Sequence, residues 1–161
     1  MRRVLILLTA IVIMMVINGA IYQKEQLRAS GTTLLLELAP RDPRSLIQGD
    51  YMVLRYQIAE WLERQQLINA HEGNLVVEQD NQHIAHFKSI YSEQTPLAAN
   101  QHLLHFRQHD SQIYLGAESF FFQEGQAHYY ENARYGELRV NAAGESILIG
   151  LRDAQLKPLG P

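Results

Sequence analysis

The chain has 161 residues, 47% of them apolar, and its formal charge is close to balanced at −3. That balance, with a pI near 6.1, excludes a basic face for nucleic acid, which needs clustered Lys and Arg against the phosphates. There is no Cys, so disulfides, thiolate metal sites and a Cys nucleophile are excluded too.

Between Arg3 and Lys24 the chain carries no charge for twenty residues. Residues 4–22 therefore predict a transmembrane helix: at about 1.5 Å per residue they span about 28 Å, against a hydrocarbon core of ~30 Å. Arg2 and Arg3 precede it, so the positive-inside rule makes 1–3 a cytoplasmic tip and carries the rest to the far side. Tyr22 falls at the far interface. A cleaved signal peptide would have a shorter apolar region and a small-x-small cleavage site. Asn18 spoils the site ending at Ala20, so the reading is an uncleaved anchor.

Residues 23–31 are polar and predict a helix extension or a linker. A domain follows over 32–161. Residues 32–38 predict a buried strand, and 39–44, with two prolines, a loop. Over 51–58 the chain alternates, with Met52, Leu54, Tyr56 and Ile58 on one face. Residues 59–67 predict a short amphipathic helix. Three hairpins follow, 74–79 with 83–89, 102–108 with 113–122, and 135–141 with 146–151, each joined by turn residues. A second short helix is predicted over 125–133. The fold class is mainly β: an antiparallel meander, small barrel or sandwich with one or two short helices.

Seven His are many for this length. His102, His105 and His109 would share a helical face, but the apolar residues among them predict a strand, where residues three apart point oppositely. No metal site or cofactor is expected. The densest polar stretch runs from Arg41 through Asp42, Pro43, Arg44, Gly49 and Asp50 to Tyr51. Arg41 and Arg44 can hold a carboxylate or phosphate bidentately. Ordinary turn chemistry, with Asp42 and Asp50 capping backbone N–H groups, accounts for the same residues. A later block combines aromatics and charge: residues 119–122, then Glu124, Gly125, Arg134, Gly136, Glu137 and Arg139. On the last of these strands Tyr135, Glu137 and Arg139 share one face, while Leu138 and Val140 face the core. Such a polar row suits solvent or a partner interface.

Leu46-x-x-Gly49-Asp50 is similar to the segment that follows the nucleophile in type I signal peptidases. The position of their serine is Arg41 here, and Ser45 is the only nearby hydroxyl. A Ser–Lys dyad also needs a desolvated lysine, and Lys88 is the only one in the domain body before the C-terminal Lys157. No catalytic residues are expected, although a degenerate β-fold of that kind remains an alternative.

Gly49-Asp50-Tyr51-x-x-Leu54-x-Tyr56 resembles the signature of the GDYXXLXY family of membrane-anchored bacterial proteins. The lead-in Pro40-x-Asp42-Pro43-Arg44 and the later blocks around Gly125, Arg134, Gly136 and Arg139 also resemble it, over roughly residues 32–152. The resemblance implies a bacterial inner-membrane protein with no assigned chemistry, and a multi-pass membrane protein as partner, since family members are commonly encoded beside one. It gives Pro43, Gly49, Leu54, Tyr56, Gly125 and Gly136 architectural roles. The expectation is a non-enzymatic accessory domain, held to the bilayer and presented to the periplasm. Its candidate interaction residues are Arg41, Asp42, Arg44, Asp50, Tyr51, Glu124, Arg134, Glu137 and Arg139. A periplasmic small-molecule or ion sensor is the alternative.

Overall fold

The computed structural model describes residues 2–40, 47–48, 51–68, 70–92 and 96–161. One helix, α1 (Arg2–Ser30), opens the chain without interruption. Its segment Ile6–Ser30 is long and apolar enough to cross a membrane. From Ile6 to Ile21 its Val, Ile, Leu and Met side chains stand about half or more exposed, which suits a lipid surround and not a watery one. Of the two forms predicted for 23–31, the structure takes the helix extension.

The domain is built from antiparallel sheets. In the first, β1 (Thr32–Glu37) pairs with β9 (Tyr135–Val140), which pairs with β10 (Ser146–Arg152). The second orders β2 (Ile47–Gln48), β3 (Tyr51–Val53) and β8 (Ser119–Phe121). The third orders β5 (Ala85–Ile90), β4 (Glu72–Gln79), β6 (Gln101–His109) and β7 (Gln112–Tyr114). The β4–β5 and β9–β10 hairpins are those the sequence predicts, and each carries one register shift.

Single bridges join the sheets: Leu38 to Tyr56, and Leu35 to Ile84 in parallel. The Leu54 N–H donates to the Glu118 carbonyl at 2.7 Å, tying the second sheet together beyond β3. A continuous core lies between the sheets, with Leu34, Leu54, Leu75, Leu104 and Leu138 almost wholly buried. The helix α2 (Gln57–Gln65) covers one side of it through Ala59 and Leu62.

Three elements depart from expectation. The alternation at 51–58 stops at Tyr56, which is extended at φ −96° and ψ 137° and hands over to α2, so Ile58 is helical. The apolar spacing at 52, 54, 56 and 58 runs on into the helix by coincidence of the two periods. Residues 113–122 are not one strand: the chain turns at Gly116 (φ +78°), and β8 leaves the third sheet for the second. Over 125–133 there is only a 3-10 turn, Ala127–Tyr129. Gly125 at φ +80° stands outside the right-handed helical region at the start of this stretch, and Tyr130 is drawn into the core, 7% exposed.

Candidate functional site

The loop residues Arg41, Asp42, Pro43, Arg44, Gly49 and Asp50 lie outside the described residues. Their described flank is the strand β3. Its first residue, Tyr51, stands opposite Phe121 of β8, with ring centroids 5.7 Å apart. Phe121 is 73% exposed, more than any other large apolar side chain among the described residues. Its neighbours turn the other way, as strand alternation requires. The Phe120 and Phe122 rings close on Tyr130 at 4.9 and 5.5 Å. Glu124 and Gly125 follow in an exposed turn, where Gly125 has φ +80°. Tyr51 and the start of the later block thus share one edge of the domain.

Arg134, Glu137 and Arg139 are placed elsewhere. Glu137, Arg139 and Tyr135 share a face of β9, with Gly136, Leu138 and Val140 buried behind, as the alternation predicts. The Glu137 carboxylate and Arg139 Nη1, however, are engaged within the chain. The Arg152 Nε donates to Glu137 at 2.7 Å and its Nη1 donates to the Leu156 carbonyl at 2.8 Å. The hydrogen bond to Glu137 raises the pKa of Arg152. Arg134 lines a separate crevice of about 390 Å³ with Pro40, Glu131 and Asp153.

A second signature residue, Tyr56, also meets the later block, at Gly136. Tyr56 is 1% exposed, and its hydroxyl donates to the Ala117 carbonyl at 2.6 Å. A Cβ on Gly136 would meet the Tyr56 ring at 3.0 Å and its oxygen at 3.1 Å. Only glycine leaves room for that ring. Burial, and then the Glu118 carboxylate, hold the Tyr56 phenol pKa well above its ordinary value. The signature Leu54 is likewise 1% exposed. Both residues lie in the hydrophobic core.

Sequence reasoning missed the latch beside them. Arg55 Nη2 donates to Glu63 of α2 at 2.5 Å, and the same carboxylate oxygen accepts the Ile113 N–H at 2.6 Å. Nothing local in the sequence signals a contact from α2 to β7. The outward Phe121 was readable: in an extended run of three Phe, alternation turns the middle ring away from its neighbours.

The histidines are dispersed. His102 and His105 of β6 face Gln79 and Asn74 of β4 at 3.3 Å each, and burial lowers the pKa of His102. Among the described residues no three His, Asp or Glu side chains converge as a metal site would require.

A family model described as GDYXXLXY protein matches residues 13–151. The chain belongs to the GDYXXLXY family. No curated protein and no solved structure matches it. The GDYXXLXY match begins inside α1 and ends within β10, so the outer part of the helix belongs to the family's pattern along with the domain.

The joint between those two parts is specific. Leu27 is 5% exposed, the one buried side chain described on α1. The Gly31 N–H donates to the Leu27 carbonyl at 2.9 Å, and Arg139 Nη1 donates to the Gly31 carbonyl at 3.0 Å. A Cβ on Gly31 would meet the Leu27 oxygen at 2.5 Å and the Arg139 Cβ at 3.1 Å. Arg139 thus sets a cation at the negative end of α1, where the helix carbonyls run out of partners.

Proposed function

We propose that this GDYXXLXY chain is a non-enzymatic accessory module on a single-pass anchor in the bacterial inner membrane. Its N-terminus lies in the cytoplasm, its domain faces the periplasm, and the domain engages a multi-pass membrane protein. The observation that carries the reading is the joint of Leu27, Gly31 and Arg139. A flexible tether would serve a domain that acts alone. A helix that runs unbroken into its domain fixes the orientation of that domain above the bilayer, which suits contact with a partner held in the same membrane. Arg2 and Arg3 before the apolar run support the orientation. The multi-pass partner follows from the family resemblance.

The contact surface is the edge with Tyr51 and Phe121, which continues toward Glu124. Aromatics exposed in this way favour protein interfaces, because they bury much area at small entropy cost. Photocrosslinking from position 121 in intact native membranes tests it. A discrete adduct with an integral membrane protein is expected, absent when the crosslinker stands at Asn81 in the β4–β5 turn. The same background from both positions would contradict the reading.

A further inference from the structure

Where α1 meets the domain it stands beside the β9–β10 turn, and the two enclose a crevice of about 570 Å³. That volume falls within the ~300–1,000 Å³ of ordinary ligand pockets. One wall is the end of α1, with Tyr22, Gln23, Gln26 and Ser30; the other is the turn, with Asn141 and Glu145. From Tyr22 to Ser30 the helix rises ~12 Å. The headgroup layer of one leaflet is ~5–8 Å thick. With Tyr22 at the apolar boundary, the end of the crevice lined by Tyr22, Gln23 and Gln26 lies at headgroup depth.

We infer that this crevice binds the headgroup of a phospholipid carrying a primary ammonium. Glu145 takes the ammonium, and the amides of Gln23 and Gln26 take the phosphate oxygens. The inference rests on the reading of α1 as a membrane anchor. Glu145 carries the one formal charge among the described lining residues, so a ligand that is only anionic meets repulsion and no attraction. The turn holds that carboxylate in place. The Asn141 Nδ2 donates to Glu145 Oε2 at 3.1 Å, while Asn141 Oδ1 accepts the N–H groups of Ala143 and Glu145 at 3.0 and 2.9 Å. The other Glu145 oxygen is left to accept from a ligand. Gln26 spends one N–H on the Tyr22 hydroxyl at 2.8 Å and keeps its second. The Ser30 hydroxyl is turned back to the Gln26 carbonyl at 2.7 Å and takes no part. A primary ammonium donates to a carboxylate in a charge-assisted bond, which a quaternary ammonium cannot form.

The full chain, reconstituted in nanodiscs of equal phosphatidylethanolamine, phosphatidylcholine and phosphatidylglycerol, then released into detergent, is read by native mass spectrometry. Phosphatidylethanolamine should be retained roughly fivefold over the other two, the weight of one exposed ion pair of ~1 kcal/mol. Glu145→Gln keeps the acceptor for Asn141 and loses the charge, and should bring retention to parity. Gln23→Ala with Gln26→Ala should reduce retention of all three. Parity in the parent chain, or enrichment untouched by Glu145→Gln, overturns the inference. Release of the chain from native membranes by alkaline carbonate overturns the anchor reading and the crevice with it; retention together with parity overturns the crevice alone.

Discussion

Replacing Tyr56 by Phe removes one hydroxyl and leaves the Ala117 carbonyl without its donor. That should cost about 1–3 kcal/mol, read by urea unfolding of the full chain in detergent micelles. The same variant isolates a pH effect. Burial holds the folded phenol pKa above the 10.0 of an exposed tyrosine. The stabilising contribution is therefore complete below about pH 10 and is lost as pH rises beyond it, because the unfolded chain ionises first. Tyr56→Phe should lose less stability than the parent chain between about pH 10 and 11.5; equal losses would place Tyr56 outside the core. Gly136→Ala, which drives a methyl into the Tyr56 ring, should cost about 1–3 kcal/mol. In a Tyr56→Leu background the penalty should shrink by about 1 kcal/mol, the coupling expected of touching residues. Both residues were legible as architecture, since Tyr56 sits on an alternating apolar face and Gly136 in a strand. Their contact was not: the partner of the Tyr56 hydroxyl lies 61 residues away, and no local pattern reports a distance of that kind.

The hairpins β4–β5 and β9–β10 were legible from the turn residues between their strands, and in β9 also from a strict alternation of buried and half-buried positions. The split of 113–122 was not, since apolar residues continue on both sides of Gly116 and nothing local says that β8 pairs with β3. The link from α2 to β7 was hidden for the same reason. Glu63 holds Arg55 and the Ile113 N–H together, with only 10% and 19% of the Arg55 and Glu63 side chains exposed. Glu63→Gln should destabilise the chain by about 1.5–3 kcal/mol, since a charge-assisted bond is weakened and Arg55 stays largely buried without its counter-ion. Arg55→Met with Glu63→Leu should recover only part of that loss, because the desolvated charges are gone but the Ile113 N–H is left without its acceptor. Thermal unfolding of the three chains in one detergent checks both expectations, and a double variant weaker than Glu63→Gln would show that the ion pair itself holds α2.

For the whole molecule, the apolar run between Arg3 and Lys24 marked out α1 as a helix long and apolar enough to cross a membrane. The candidate site was legible only in part. Residues grouped by sequence as one polar surface divide in space: Tyr51 joins Phe121 at an exposed edge, Glu137 braces Arg152, and Arg139 reaches 108 residues back to Gly31. That last bond ties the end of α1 to the domain, and it yields the sharpest test of the proposed fixed orientation. The chain has no native Cys, so Glu25→Cys on α1 and Lys157→Cys on the domain take a pair of spin labels without interference. Electron–electron distance measurement on the full chain in lipid nanodiscs should give a single narrow distribution, and Arg139→Ala should broaden it. A broad distribution in the parent chain, unchanged by Arg139→Ala, would contradict a domain held in fixed orientation on its anchor.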